Sequence, residues 1–327
     1  TVTSINPTYK ALEVRHQLKD SGAQALLILD ALFEEARKGI EGTAVEKIIG
    51  TNIVDLCGFS ALKVFLGKLL KKIPTGALPA DALKLTELLK ADPNPPEVEI
   101  DPEDVAVLLY TGGTTGLPKG AMLTHRNVVS NAVMCDAWLW KKQEKMGIVG
   151  VLPLFHSFAM TTVMNIAILL GGFQLLFPRP PEDMADLFAA IEKYSSDADL
   201  IMPGVAVLFN KINTHPQVKN FDLSGLKMAI SGAGPLPLEV QDNFEELTGS
   251  VIIEGYGLSE ATPVVHGNPI AGFRKQGTIG LPFPDTDIKI MDKETGTREL
   301  PPLPFAVAET GGLTEEQAEE ADACTGE

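Results

Sequence analysis

Residues 105–120 have the sequence VAVLLYTGGTTGLPKG, in which an apolar run, Val105–Tyr110, leads directly into the loop Thr111–Gly120. The loop contains three threonines, four glycines and one lysine. Glycines let backbone N–H groups approach an anion, hydroxyls donate hydrogen bonds, and Lys119 supplies a charge for phosphate oxygens. Pro118 stands where the GxxxxGK phosphate loop requires glycine, so the loop is of another type. It predicts a phosphate site directly after a buried strand, and the alternative is a plain glycine-rich turn.

Two further glycine-containing loops follow short apolar runs. Ser231–Leu236 has the sequence SGAGPL, and Glu254–Glu260 has the sequence EGYGLSE. The GxGxxG pattern of dinucleotide-binding proteins fails in both, at Pro237 and at Glu260. Each loop taken alone is more typical of a tight turn. The ring of Tyr256 is nevertheless suited to stack on a purine, and the Glu260 carboxylate is a ligand of the kind that Mg²⁺ prefers.

After residue 104, apolar runs of strand length alternate with segments of helix length. The predicted strands are Val105–Tyr110, Ile148–Leu152, Phe173–Phe177, Leu200–Met202, Met228–Ser231 and Val251–Glu254, and the predicted helices are Asn127–Trp138, Met184–Tyr194 and Leu238–Leu247. This alternation predicts an α/β fold of layered, mostly parallel sheets with helices on both faces. Ligands of such folds lie beyond the carboxyl ends of the strands, where the three loops are.

Composition divides the chain into four segments. They are residues 1–91, an acidic proline-rich connector at 92–104, a core at 105–296 that holds the three loops, and an acidic tail at 297–327. The first segment is predicted to contain a strand, Ala25–Leu29, and helices over Lys10–Ser21, Lys63–Lys72 and Asp81–Ala91, the last two with leucine-rich faces opposite lysines. The tail lacks an apolar period that could pack, so it is predicted to be disordered.

Charge and cysteine content narrow the function classes. The chain has 27 basic and 43 acidic side chains and a net charge of −16. Such a surface disfavours nucleic acid, whose binding depends on lysines and arginines that neutralise phosphates. Cys57, Cys135 and Cys324 lie far apart without metal-ligand spacing, which fits neither a disulfide framework nor a zinc site and favours a reducing cytoplasm.

One stretch is long enough to cross a bilayer. Met146–Phe177 contains no Asp, Glu, Lys or Arg. Pro153, His156 and Gly171 interrupt it, however, and it divides into strand, helix and strand. A buried βαβ unit has the same continuous apolar pattern, so no transmembrane segment is predicted.

The ordered motifs resemble a known family. Tyr110–Gly120 (YTGGTTGLPKG) is similar to the phosphate loop of the AMP-forming acyl-CoA synthetases, within the adenylate-forming superfamily. Further matches follow in the expected order at Pro153–His156, Ser231–Leu236, Tyr256–Glu260 and Gly277–Pro282. Asn6–Tyr9 and Gln17–Ala23 are similar to the branch that acts on long- and medium-chain fatty acids. The resemblance covers roughly residues 1–295 and makes residues 1–91 the N-terminal part of the AMP-binding domain.

The resemblance implies roles for individual residues. The ATP phosphates would bind Thr111, Gly112, Gly113, Thr114, Thr115, Gly116 and Lys119, and the adenine would bind Gly232, Ala233, Gly234, Glu254, Gly255, Tyr256 and Gly257. Ser259 stands where the family usually has threonine and would contact the α-phosphate or the carboxylate, and Glu260 would hold Mg²⁺. His156 would orient the carboxylate or gate the acyl site, the alternative being a loop histidine without a role. His16, His125, His215 and His266 are expected to be structural, and Trp138 and Trp140 to be packing residues.

The implied reaction has two steps. A carboxylate attacks the α-phosphorus of ATP and expels pyrophosphate, and coenzyme A then displaces AMP to form a thioester. Relatives that activate amino acids place an aspartate shortly after the Pro-x-Phe segment, whereas Phe155–Phe158 is followed by no acid before Glu182. The apolar segments Ala159–Leu170 and Val205–Phe209 suit a hydrocarbon tail, so we expect a medium- or long-chain fatty acid.

The resemblance also implies parts that this sequence lacks. A ribose-binding aspartate, a hinge and a small C-terminal domain with a catalytic lysine are not found in it. Two alternatives therefore stay open: a nucleotide-binding module with little or no catalysis, and a relative that activates another carboxylic acid. A homodimer and a peripheral contact with a membrane stay open as well.

Overall fold

The structure, a computed structural model, describes residues 1–112, 117–139, 145–178 and 181–299. The chain divides into two compact units. The first comprises Thr1–Val129 and Leu154–Ser157, and the second comprises Ser130–Pro153 and the chain from Phe158 onward. The four segments predicted from composition stay a prediction.

The first unit contains two small sheets. Its strands are β1 (Val2–Thr3), β2 (Ala25–Leu29), β3 (Lys47–Thr51), β4 (Leu83–Lys84), β5 (Val105–Thr111) and β6 (Lys119–Thr124), and its helices are α1 (Ala11–Ser21), α2 (Phe33–Ile40), α3 (Ala61–Leu69) and α4 (Leu85–Leu88). One sheet has the order β2-β3-β4 and is parallel, and the other has the order β1-β5-β6. Helices α1 and α2 share a core of Val14, Leu18 and Ala36.

The predicted strand Ala25–Leu29 matches β2 residue for residue, and the predicted helix Lys10–Ser21 matches α1 within one residue. The predicted helix over Asp81–Ala91 is wrong at residues 83–84. There the backbone pairs with β3, at Ile49 and Gly50, and only Leu85–Leu88 is helical. Pairing with a distant strand overrides the local preference.

The loop that follows β5 does not lead into a helix. Strands β5 and β6 are antiparallel, with Tyr110 opposite Gly120 and Thr111 opposite Lys119. At Gly120 a Cβ atom would come within 3.1 Å of the Tyr110 ring, so a larger residue would make the ring shift slightly. Strand β6 was missed because its glycine and alanine are poor strand formers. The predicted phosphate loop therefore connects the two strands of an antiparallel pair.

The second unit is built on a seven-stranded sheet with the order β13-β12-β11-β10-β9-β7-β8. The strands are β7 (Met146–Gly150), β8 (Phe173–Leu176), β9 (Asp199–Gly204), β10 (Leu226–Ser231), β11 (Val251–Gly257), β12 (Val264–Gly267) and β13 (Leu281–Pro282). Strands β7 to β11 pair in parallel, whereas β12 and β13 are antiparallel additions. The predicted α/β class with parallel sheets is confirmed.

Helices connect these strands. They are α5 (His125–Trp138), α6 (Ser157–Ala159), α7 (Ile166–Leu169), α8 (Met184–Ser195), α9 (Ala206–Asn213) and α10 (Leu238–Thr248), with a π-helical segment, Met160–Asn165, between α6 and α7. The predicted helices Asn127–Trp138, Met184–Tyr194 and Leu238–Leu247 correspond to α5, α8 and α10. The apolar stretch Met146–Phe177 forms β7, this short helical segment and β8. No helix of the described residues is long and apolar enough to cross a membrane.

The main core lies around three phenylalanines, Phe188, Phe209 and Phe244, which are fully buried. Phe209 and Phe244 meet edge to face with 5.0 Å between ring centroids. Leu208 and Phe209 of the segment Val205–Phe209 are buried in this core, whereas Val207 is exposed. The predicted role of this segment as a wall for a hydrocarbon tail stays a prediction.

Candidate functional site

The predicted phosphate loop joins β5 to β6 in the first unit. Thr111 ends β5 and Lys119 begins β6, directly across the ladder from it. Gly112 has no positive φ, and an added Cβ would meet nothing within 4 Å. The described fold therefore does not itself require glycine at this position. The predicted phosphate ligands Gly113, Thr114, Thr115 and Gly116 lie outside the described residues.

Helix α1 holds both sides of this loop. The imidazole of His16 donates from Nε2 to the Pro118 carbonyl at 2.7 Å, and the Tyr110 hydroxyl donates to Asp20 Oδ2 at 2.6 Å. Burial, together with the bond to Asp20, raises the pKa of the Tyr110 phenol well above its ordinary value. The His16 and Tyr110 rings meet edge to face at 6.2 Å. His16 is thus structural, as expected, and the structure supplies the partners that the sequence did not show.

We expect His16→Ala to weaken ATP binding about three- to tenfold, the usual effect of losing one hydrogen bond. Without this bond the Pro118 backbone is held less firmly beside Lys119, so placing Lys119 against a phosphate costs more. Calorimetric titration with ATP measures the change. His16→Gln keeps an N–H donor and should recover part of the affinity. Equal affinities for the alanine variant and the parent chain would contradict this role.

In the second unit the other two loops lie side by side. Strands β10 and β11 are parallel neighbours with Ser231 paired to Glu254, so their carboxyl ends meet at one edge of the sheet. The N–H of Gly232 donates to the Gly204 carbonyl at 3.1 Å, and that of Asn268 donates to the Glu254 carbonyl at 3.0 Å. The tertiary structure thereby brings the two sets of residues predicted to bind adenine together.

The loop after β10 has features that its own packing does not require. Ala233 has a left-handed backbone with φ of 63°, which is uncommon for a residue with a side chain. Gly234 has ordinary φ and open space where a Cβ would be, whereas at Gly232 a Cβ would come within 3.0 Å of the Phe158 ring. The buried hydroxyl of Ser231 has no hydrogen-bond partner among the described residues. These features leave room and an unused polar group for a ligand.

Strand β11 supplies the remaining predicted adenine residues. Glu254 is half-buried; burial raises the pKa of its carboxyl, and a hydrogen bond from the Leu236 backbone partly offsets that rise. Gly255 also lies on this strand. Tyr256 is exposed, and its ring meets the His266 ring edge to face with 6.1 Å between centroids. At Gly257 a Cβ would overlap the Pro263 carbonyl, so any larger residue would push β11 away from β12.

Ser259 and Glu260 lie in a single 3₁₀ turn, Ser259–Ala261, directly after β11. Glu260 is exposed. Among the described residues, no group of three or more His, Cys, Asp or Glu side chains is arranged to hold a metal. One exposed carboxylate fits Mg²⁺ that takes most of its ligands from phosphate oxygens and water, as it usually does beside nucleotides. The described residues do not by themselves provide a complete set of metal ligands.

His156 lies in the segment Leu154–Ser157, which belongs to the first unit. The residue is exposed, yet partial desolvation by the surrounding protein lowers the pKa of the imidazole below its ordinary value. The ring is therefore neutral at neutral pH and able both to donate and to accept a hydrogen bond. Its role at the carboxylate of an acid stays a prediction.

The second unit also contains a narrow apolar cavity. Its empty volume, including its open mouth, is about 490 Å³, but the centre of a water molecule fits in only about 30 Å³ of it. Its lining includes Cys135 and Trp138 from α5, Thr162 and Ile166 from the 157–169 helical segment, Gly255 from β11, and Val264 and His266 from β12. The predicted contribution of Ala159–Leu170 to an apolar site thus has a counterpart in the structure.

Two polar side chains in this cavity differ in their hydrogen bonding. The indole N–H of Trp138 donates to the Asn268 carbonyl at 3.2 Å, and its ring stacks on Phe283. Nδ1 of His266 is buried without a hydrogen-bond partner among the described residues, and burial lowers the pKa of its ring. Sequence reasoning missed His266 because its place depends on pairing with Tyr256 across the hairpin; period-two alternation from Val264 was the available signal. Trp140 lies outside the described residues.

The sequence model of the AMP-binding enzyme family matches residues 1–304. The chain belongs to this family. It is 38% identical over 314 residues to a long-chain-fatty-acid–CoA ligase of Bacillus subtilis, across 92% of this chain and 54% of the relative. It is 37% identical over 308 residues to a protein of the same name from Escherichia coli, with the same two coverages. The chain thus spans about half the length of the curated relatives it matches.

Solved structures agree with the assignment to the AMP-binding enzymes. The crystal structure of a long-chain-fatty-acid-CoA ligase from Archaeoglobus fulgidus superposes with a TM-score of 0.67 at 28% identity, covering 91% of this chain and 54% of that one. An anthranilate CoA ligase in complex with anthranoyl-AMP has the same TM-score at 21% identity, covering 91% and 51%, and supports the fold alone. The predicted family and fold are confirmed. The roles of individual residues in this AMP-binding enzyme stay predictions.

Proposed function

We propose that this chain is the ATP- and acyl-binding part of a long-chain-fatty-acid–CoA ligase. The observation that carries the proposal is that Gly255 both lines the apolar cavity and belongs to the predicted adenine loop. A strand that borders both places can hold an acyl carboxylate close to a nucleotide. The names of the B. subtilis and E. coli relatives support the same acid class.

The nucleotide in this proposal is ATP. Gly234 in the second unit is a glycine without a structural need, and a ligand that approaches the backbone closely would supply one. The unpartnered Ser231 hydroxyl offers it a further hydrogen bond. Mg²⁺ held in part by Glu260 would neutralise phosphate charge when bound. Thr111, Lys119 and the loop amides bind and orient the phosphates, and Ser259 the α-phosphate or the acid.

The proposed reaction is an acyl transfer in two steps. A carboxylate oxygen of the acid forms a bond to the α-phosphorus while the bond to the β-phosphate oxygen breaks, so that pyrophosphate leaves and an acyl-adenylate remains. The thiol of coenzyme A then attacks the acyl carbon, loses its proton and expels AMP. Both steps require positioning and charge neutralisation more than covalent help from the protein. His156 would hold the carboxylate in place as a neutral hydrogen-bonding group.

The cavity favours a hydrocarbon substrate. Its lining contains no Asp, Glu, Lys or Arg among the described residues. An amino acid would place its ammonium group there without a counter-charge, which is costly. A narrow slot also accepts a polymethylene chain more readily than a ring. The proposed substrate is therefore a fatty acid of medium or long chain, and an aryl acid is the weaker alternative.

Acid-dependent ATP–pyrophosphate exchange on the 327-residue chain tests the proposal, with palmitate, octanoate, benzoate and amino acids compared side by side. Calorimetric titration with ATP, with and without Mg²⁺, is run in parallel. Exchange that is highest with a fatty acid supports the proposal. A preference for benzoate or an amino acid would overturn the substrate class, and failure to bind ATP would overturn the nucleotide site.

A second candidate function is that of a nucleotide-binding module with little or no catalysis, for which the two glycine loops that meet after β10 and β11 would be sufficient. ATP binding without exchange would support this candidate. We also propose that the protein uses coenzyme A, forms a homodimer and is located in the cytoplasm.

A further inference from the structure

Helix α3 exposes a stripe of large apolar side chains. Leu62, Phe65 and Leu69 are 67%, 63% and 66% exposed, and Leu66 between them is exposed as well. Their i, i+3, i+4, i+7 spacing places them on one face of the helix. No residue of α3 is buried, in contrast to α1 and α2, which bury their apolar faces. The stripe therefore has no partner among the described residues.

Lysines border this stripe on both sides. At 100° per residue, Lys63 and Lys68 lie about 110° to either side of its centre. Lys71 and Lys72 follow the helix directly, and Asp55 is the only acidic residue between positions 53 and 74. The segment thus carries a net charge of +3 in a chain whose total is −16. Clustered positive charge on so acidic a protein selects an anionic partner.

The local fold determines which way the stripe faces. The Ser60 hydroxyl caps the start of α3 by accepting a hydrogen bond from the Lys63 N–H. The end turns back through Lys71, which has φ of 55°, so that Ile73 lies against Gly67 on the opposite side of the helix. A Cβ on Gly67 would come within 2.5 Å of the Ile73 side chain. Ile73 thereby covers the side of α3 on which Gly67 lies, and the phenylalanine and leucines of the stripe stay exposed.

We propose that α3 and the turn after it, residues 60–72, bind the surface of a membrane that contains anionic lipids. The apolar stripe would enter the boundary between headgroups and acyl chains, and the flanking lysines would reach the headgroup phosphates. A lipid surface fits better than a protein pocket because its layers match the helix. The apolar stripe corresponds to the acyl region of the membrane, and the lysines on both sides of it correspond to the headgroup region. The proposal is independent of ATP binding and of acyl transfer.

Vesicle flotation of the 327-residue chain tests this proposal. Phosphatidylcholine vesicles are compared with vesicles of phosphatidylcholine and phosphatidylglycerol in equal amounts. We expect binding to the anionic vesicles that weakens as salt is raised. Lys63→Gln with Lys68→Gln should weaken it about 25-fold, at about fivefold per lysine. Phe65→Ser with Leu69→Ser should weaken it on the order of 100-fold. All four side chains are exposed, so folding should be unchanged by circular dichroism.

Matched controls carry the same substitutions elsewhere. Phe273→Ser with Leu12→Ser changes two apolar residues that are even more exposed, and Lys19→Gln with Lys219→Gln removes two exposed lysines. Both controls should bind the anionic vesicles like the parent chain. Equal binding to both vesicle types, or equal losses in test and control variants, would overturn the proposal. The proposal would also be overturned if the chain bound no vesicles but formed a dimer that Phe65→Ser dissociates. The partner of the stripe would then be a second copy of the chain.

Discussion

Val264→Phe is expected to lower palmitate activation about 100-fold while leaving short acids nearly unaffected. Val264 lines a slot in which the centre of a water molecule fits in only about 30 Å³, so a phenyl ring closes it. Excluding about four methylene groups costs about 3 kcal/mol, at roughly 0.8 kcal/mol each, which corresponds to about 100-fold. The loss should therefore grow with chain length from butyrate to palmitate.

The neighbouring residue provides a matched control for this variant. Val265 is the next residue on β12, does not line the slot and faces the other side of the sheet. Val265→Phe should leave the chain-length profile unchanged. The readout is kcat/KM from ATP–pyrophosphate exchange, and palmitate binding by calorimetry makes the same comparison without turnover. Equal profiles for the two variants would show that the acyl chain lies elsewhere.

Glu260→Gln is expected to reduce acid-dependent exchange on the order of 100- to 1,000-fold, as the loss of a catalytic electrostatic contact usually does. The substitution keeps the size of the side chain and removes its charge. Because Glu260 is exposed, the folded state should keep its thermal stability. ATP affinity should then depend much less on Mg²⁺ than in the parent chain. Calorimetric titrations with and without Mg²⁺ measure this separately from turnover.

Another exposed glutamate of the same unit is the control for Glu260. Glu239 lies at the start of α10, and Glu239→Gln removes the same charge. Exchange and Mg²⁺ dependence should match those of the parent chain. If Glu260→Gln kept exchange within about twofold of this control, the carboxylate would have no part in holding the metal.

Local sequence patterns predicted elements well where the pattern is self-contained. The apolar run Ala25–Leu29 became β2, and Met184–Tyr194 became α8 with one residue more. Hydrophobic periodicity reports which residues of a segment avoid water, and this is enough to assign strand or helix. The glycine loops after the strands could also be recognised, because the residues of each loop are continuous in sequence.

Partners that are distant in sequence could not be predicted in this way. The bond of His16 to Pro118 crosses 102 residues, and the place of His266 depends on the β11–β12 hairpin. Phe209 and Phe65 are both phenylalanines of apolar helical segments, yet Phe209 is fully buried and Phe65 is exposed. Periodicity shows that a face is apolar but contains no information about what covers it.

Residue patterns were sufficient to predict the α/β class, the order of the motif loops and the family that the family model matches. The antiparallel pairing of β5 with β6 and the meeting of the ends of β10 and β11 became visible in the three-dimensional fold. The fold also placed Gly255 and His266 on the wall of one cavity. The physical reason is that backbone pairing and side-chain burial are satisfied between segments far apart in the chain, whereas residue patterns record only local preference.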